Sequence, residues 1–300
     1  MTTFPSPEPI DVTLDLLGDA RISAGDRTDT VVVVRPADPA KAADVRTAED
    51  TTVDFDGARL VVKTPKTWRR LTPFNNDGRI DLVIEVPTGS RVTADTAVGH
   101  LTTDGELGAC RLKTAMGTVR VDQTGPLQAT SGFGDLFIER VRGDAEVKTG
   151  SGAIHVGTVD GSAVVRNANG HTTIDHVGSD LRVRAANGDI TVGRARASVT
   201  AKSANGDVRI GEVRQGAVVA QTAAGEVAVG VHPDTAVWLE LDTRFGRVHN
   251  DLATGATPSS SEASVTVRAS TSVGDILIHG STLATGDTAV GPDGSSVPPS

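Results

Sequence analysis

The chain has no tyrosine, six phenylalanines and two tryptophans, so aromatics make up only 3% of its 300 residues. Enzyme ligand pockets usually draw aromatic side chains into their walls, and this sequence has few to offer. A single cysteine, Cys110, excludes an intrachain disulfide. It also excludes a disulfide-stapled secreted scaffold, without identifying a compartment. No stretch approaches the roughly 18 apolar residues of a membrane-spanning helix. The opening MTTFPSPEPIDVTLDLLG lacks the basic start and apolar run of a signal peptide. The C-terminus carries no lipidation or sorting pattern. The expected location is therefore cytoplasmic, with surface exposure only by an unconventional export route. Basic residues are also in deficit: 29 Lys and Arg against 38 Asp and Glu give a net charge of −9. That balance argues against a nucleic-acid partner and against an electrostatic grip on anionic lipid. Neither a G-x-S-x-G elbow nor a P-loop is present.

Val, Ala, Gly, Thr and Asp fill the space left by these absences, a composition of many short strands and many turns. One glycine recurs as Gly99, Gly117, Gly134, Gly152, Gly170, Gly188, Gly206, Gly225, Gly246 and Gly274, at about eighteen residues until Gly206 and at longer intervals afterwards. Two and four residues after it the sequence is mostly aliphatic: Leu136 and Ile138, Ile154 and Val156, Ile190 and Val192, Val208 and Ile210. Seven and five residues before it lie a second aliphatic pair, such as Ala145 and Val147 or Leu181 and Val183. The residues between these pairs are mixed or polar, which is the period-two alternation of strands. Three before the glycine runs a small polar column: Thr114, Ser131, Thr149, Asn167, Ser203, Thr222. A further apolar column, Val141, Val159, Val177, Ala195 and Val213, sits seven after it and suggests a third short strand.

These periods predict an all-β, single-chain β-solenoid, parallel β-helix-like, of ~18-residue coils. A lone coil buries about five modest side chains at roughly 1.5–3 kcal/mol each. Ordering eighteen backbones costs roughly 1–2 kcal/mol apiece, so coils are stable only when stacked. Residues 1–90 lack the glycine register but contain strand-like runs at Ile10–Leu16, Thr30–Val34, Leu60–Lys63 and Ile80–Val86. They are read as an N-terminal β cap continuous with the solenoid, with a polar excursion or short helix within Pro36–Asp50 and a loop around Trp68–Gly78. Residues 91–280 are the solenoid repeats, closed by the coil around Gly274 after a loop at Ala253–Glu262. Residues 281–300 read as a disordered tail.

Candidate sites are few. The NGD triplets Asn187–Asp189 and Asn205–Asp207 stack in successive coils, and an Asp column suits calcium; Asp135, Asp189 and Asp207 share that column, with His171 and Ala153 at the coils between. The dense G-G-x-G-x-D pattern of calcium-binding rolls is absent, so turn-forming Asp is the plainer expectation. His155, His171 and His176 do not share a column, and His249 stands beside Asn250 and Asp251. Cys110 occupies an inward position, as a buried thiol does. Phe133 and Phe245 occupy the corner before the glycine and Trp238 faces outward. The expectation is that they cover the core at irregular coils. No catalytic, cofactor-binding or metal residue is assigned.

With the repeat laid out, the chain resembles a bacterial β-strand-repeat family of unknown function whose members often carry the label putative adhesin. The resemblance runs from about residue 4 to 280, through FPSPEPIDVTLDL, AGDRTDTVVVVRPADPAK, IEVPTGS, KTGSGAIHVGTVDGSAVVRNANG, RAANGDITV, AKSANGDVRIGEV and FGRVHNDL. It implies a repetitive β architecture and carries over no catalytic residues. The missing export signal departs from what an adhesin requires. Three readings follow. The first is a non-enzymatic scaffold or adhesin-like rod binding a protein or carbohydrate partner through its faces. The second is a carbohydrate-active enzyme or polysaccharide-binding β-helix. The third is an intracellular stress or regulatory accessory protein. No nucleic-acid partner and no membrane insertion are expected, and the oligomeric state is open.

Overall fold

The computed structural model describes residues 1–65, 78–233, 235–252 and 264–281. Its described residues form a β-solenoid of two facing sheets, of 14 and 13 strands. Each coil gives the strand before its glycine to one sheet, here the leading sheet, and the strand after it to the other, the trailing sheet. In the leading sheet Ala145, Ala163, Leu181 and Val199 lie side by side. In the trailing sheet Ile154, Thr172, Ile190 and Val208 do the same. A shift of one repeat thus maps each strand onto its neighbour, and the alternating aliphatic residues of both sheets fill one continuous core.

The third apolar column does not belong to a third strand. Val141, Val159, Val177, Ala195 and Val213 end the trailing strands and are buried there. Between the second and third inward residues two positions intervene instead of one, so the strand shifts phase and its end turns back over the core. The sequence spacing is the same for a new strand and for a phase shift.

The corner is tied by three sets of bonds. The ladder glycine has a positive φ, +134° at Gly170, and its N–H donates to the next coil, as Gly170 N–H does to Asn187 O at 2.9 Å. Its carbonyl accepts from the small polar column of the next coil: Thr149 to Gly134 at 3.2 Å, Ser203 to Gly188 at 3.2 Å and Thr222 to Gly206 at 2.8 Å. Ala185 breaks this column, and Asn167 covers the gap. Its Nδ2 donates both to Gly152 O at 3.1 Å and to Gly170 O at 2.9 Å. Finally, the aspartate after the glycine accepts the next coil's backbone N–H, as Asp135 does from Ala153 at 2.7 Å and Asp189 from Asp207 at 2.9 Å. Asp144 and Asp180 clip the opposite corner in the same way, to the Ser162 and Ser198 N–H groups.

Chain order and stacking order part company at both ends. Asp11–Leu16 and Gly18–Gly25 form a coil in ladder register, and the Thr96 hydroxyl donates to Gly18 O at 3.2 Å. This coil lies between Arg59–Lys63 with Ile80–Pro87 on one side and Arg91–Val98 with Leu101–Leu107 on the other. The register therefore begins at Gly18. A long insertion separates that coil from Gly99 and erases the repeat from the sequence. At the other end the coil of Gly274 pairs with that of Gly225, and the coil of Gly246 stacks outside it. The expectation that the Gly274 coil closes the rod is thus corrected: Ala236–Phe245 and Val248–Asn250 are the outermost described strands.

At the N-terminal end, Thr2–Pro5 and Asp29–Pro36 extend the trailing sheet antiparallel, and Thr52–Phe55 extends the leading sheet. Phe4 stacks on Phe55 at a centroid distance of 4.8 Å, joining the two extensions. The short helix falls at Ala42–Glu49, where Asp44 accepts the Asp38 and Arg79 N–H groups at 3.0 Å each. The loops around Trp68–Gly78 and Ala253–Glu262 and the 281–300 tail lie largely outside the described residues.

Candidate functional site

The outward face of the leading sheet holds an ordered polar surface. Four residues before the glycine, Lys148, Arg166, Arg184 and Lys202 stand directly opposite one another on four adjacent strands. Neighbouring strands are about 4.8 Å apart, and like charges placed directly opposite destabilise a sheet. Arg182, two residues from Arg184 on the same face, adds a fifth cation. Among the described residues Lys148 pairs with Glu146, whose carboxyl also feels the Arg166 charge, whereas Arg182, Arg184 and Lys202 form no ion pair with a carboxylate.

Beside this column runs a floor of exposed small residues, Ala168, Ala186 and Ala204, and beyond it an amide ladder. Asn187 Nδ2 donates to Asn169 Oδ1 at 2.8 Å, and Asn205 Nδ2 to Asn187 Oδ1 at 2.9 Å. The unit basic–x–Ala–Asn–Gly thus repeats in three successive coils, at Arg166–Gly170, Arg184–Gly188 and Lys202–Gly206.

Towards the N-terminal end the same face opens into a groove of about 760 Å³, running from Asp11 and Arg59 to Val164. Its polar residues bridge coil to coil. Arg91 binds Asp11 in a bidentate pair at 2.5 and 2.9 Å, Arg111 donates to Gln128 at 2.6 Å, and Gln128 to Glu146 at 3.0 Å. A hydrogen bond from Lys148 holds the Glu146 carboxyl below the usual carboxylate range, against a smaller opposing effect of burial.

The residues singled out from the sequence fall elsewhere. Asp135, Asp189 and Asp207 share a column as expected. Each accepts a backbone N–H from the following coil, not from its own turn. His155 lies 3.6 Å from Asp175 and His171 3.5 Å from Asp189. His176 is half-buried, and burial together with Arg196 and Arg194 lowers its pKa. His249 is exposed on the outermost coil. Among the described residues no three His, Cys, Asp or Glu side chains gather as metal ligands do. Cys110 is buried, which pushes its thiol pKa up.

Phe133, Trp238 and Phe245 are 62%, 76% and 74% exposed, so they do not cover the core. Phe133 lies beside exposed Met116, and Phe245 beside exposed Val273, because the residue before the ladder glycine points off the corner. The basic column was not singled out from the sequence. Its signal, Lys148, Arg166, Arg184 and Lys202 at eighteen-residue spacing, is there to be read but is hidden by an acidic net charge.

Parallel coils with a glycine corner place the protein among β-solenoids. The chain belongs to the Toastrack DUF4097 family, a domain family of unknown function, whose model matches residues 18–279. No curated protein matches it. Three solved structures are similar over most of the chain. A putative adhesin from Bacteroides fragilis is 11% identical, with 92% of this chain and 95% of that chain covered and a TM-score of 0.38. A putative adhesin from Parabacteroides merdae is 11% identical, covering 75% and 94%, with a TM-score of 0.39. A putative lipid binding protein from Parabacteroides distasonis is 14% identical, covering 91% and 95%, with a TM-score of 0.31. Among the described residues no helix is long and apolar enough to cross a membrane.

Proposed function

We propose that the chain is a non-enzymatic interaction protein, a stiff rod that binds a protein or carbohydrate partner along the outer face of its leading sheet. The observation that carries this reading is the continuity of that face. An open groove from Asp11 to Val164 leads into a column of cations held in register by the coils themselves. Solenoids commonly use such extended surfaces for binding. A glycosidase would need a carboxyl with a raised pKa as its acid; among the described residues Asp81 is raised, by burial and the nearby Asp19, but it lies on the trailing sheet outside the groove, and Glu146, inside the groove, is shifted the other way.

The test is site-specific photo-crosslinking in the native cells, from Gln128 and Arg184 on the leading face and from Arg120 and Thr173 on the trailing face. Adducts from the first pair and not the second are expected. Adducts confined to the trailing face overturn the reading. Fractionation with protease treatment of intact cells then separates an adhesin-like role from an intracellular scaffold: cleavage from outside supports the first, protection the second.

A further inference from the structure

We propose that the Lys148–Arg166–Arg184–Lys202 column and the Asn169–Asn187–Asn205 ladder bind an acidic polysaccharide, a linear chain of the uronic-acid class lying along the rod axis. The inference rests on the reading that the leading face binds a partner, and it names that partner's chemistry.

The charge argument comes first. The chain as a whole carries a net charge of −9, yet among the described residues Lys148 alone of the four forms an ion pair, with Glu146, and Arg184 and Lys202 have no carboxylate partner. Stacking them on adjacent strands costs stability, and an anionic ligand removes that repulsion. Screening confines the field to about 8 Å at physiological salt, so the column attracts what lies on it and not what passes at a distance.

Geometry then narrows the ligand. The sites form a line with one cation per coil, spaced by about 4.8 Å, and a polymer with one carboxylate per sugar ring meets them in series. Arginine suits carboxylate because its planar fork donates two parallel hydrogen bonds. The Asn ladder runs parallel to the cations. In each inter-asparagine bond one amide hydrogen and one oxygen lone pair are used, which fixes the amides' orientation. Each Nδ2 bears a second hydrogen and each Oδ1 a second lone pair, and sugar hydroxyls match both. Ala168, Ala186 and Ala204 leave the strip between the two rows low, so a ring can lie across it.

Competing polyanions fit less well. Single-stranded nucleic acid is usually held by aromatic stacking, and none of the column, floor or ladder positions in these coils is aromatic. Membrane-surface binding uses an apolar face beside the cations, and here that place is taken by alanine methyls and amides.

The experiment is calorimetric titration of the intact chain with galacturonate oligomers of increasing length. A neutral glycan and oligothymidylate of equal length serve as controls. Affinity is expected to rise with length until the oligomer spans the four basic coils, then level, and to fall with added salt. The double substitution Arg166→Gln/Arg184→Gln should weaken binding about tenfold or more. Its melting temperature at low salt should be equal or higher, since repulsion is relieved. Asn187→Ala should weaken binding severalfold and leave the salt dependence unchanged. No binding of any galacturonate oligomer, equal binding of the neutral glycan, tighter binding of oligothymidylate, or unchanged affinity in the double variant overturns the proposal. If galacturonate fails while cross-links persist at position 184, this ligand is wrong and the partner-binding face stands. If both fail, both readings fall.

Discussion

At the scale of single residues, the corner leaves no room for a side chain. A Cβ built on Gly170 would lie 2.1 Å from Gly152 O, with a backbone φ of +134° that L-residues rarely adopt. Gly170→Ala must therefore displace the neighbouring coil, and a loss on the order of 3 kcal/mol is expected in urea unfolding. Gly25→Ala is the control: nothing lies within 4 Å of its Cβ and no positive φ constrains it, so its stability should be close to wild type. A similar loss in both would remove the steric account. Glu212 is the most buried carboxylate among the described residues, 1% exposed. Burial pushes its pKa up, but hydrogen bonds from Arg214 and Ser281 and the charges of Arg214 and Arg194 outweigh this and hold it below the ordinary value. A carboxyl depressed in the folded state contributes stability above its unfolded pKa and loses that contribution as pH falls through the folded one. Glu212→Gln should thus cost about 1–3 kcal/mol at neutral pH. The gap to wild type should narrow as pH drops below the glutamate range, which unfolding curves at a series of pH values will measure.

At the scale of the coil, what holds one turn to the next beyond the strand ladders is a set of side chain to backbone bonds. Asp189 accepts the Asp207 N–H at 2.9 Å while its other oxygen faces His171. Asp189→Ala leaves that part-buried N–H to water and should cost about 1 kcal/mol. Asp189→Asn keeps an acceptor oxygen and should be milder. Calcium should leave both melting temperatures unchanged, because the carboxylate is already engaged as a clip. The coil itself was legible from the sequence. Ile154, Val156, Val147 and Val165 fall on the predicted inward positions because a parallel stack forces one register on every repeat. The bonds that fix the corner were not. The column Thr149, Ser203, Thr222 was visible as small and polar, but its acceptor is a glycine carbonyl one coil away, which spacing alone does not reveal. The candidate site was hidden for a different reason. Net charge averages over the chain, whereas recognition depends on which few cations the register brings together.

At the scale of the whole molecule, both ends of the rod are threaded back by one coil. Asp11–Gly25 is held between strands from residues 59–87 and 91–107, and the buried Ser90 hydroxyl secures the crossing, accepting from Ile10 N–H at 3.1 Å and donating to Pro87 O at 2.6 Å. At the other end Ser264–Val273 lies between Gly216–Ala224 and Ala236–Phe245. The segment nearer the C-terminus is thus paired on both sides, while the one before it forms the sheet edge. Terminal segments usually fray first, so a solenoid stacked in chain order would protect Ala236–Phe245 better than Ser264–Val273. This fold reverses that order. Amide hydrogen exchange should be slower across Ser264–Val273 than across Ala236–Phe245, by the difference between opening an inner strand and an edge strand. Ending the chain at residue 263 should release Ala236–Phe245 and Val248–Asn250, because the coil of Gly246 then loses the only strands it pairs with among the described residues. If the truncated chain keeps the wild-type exchange protection of Ala236–Phe245, the outer coil is held by something other than the threaded strand.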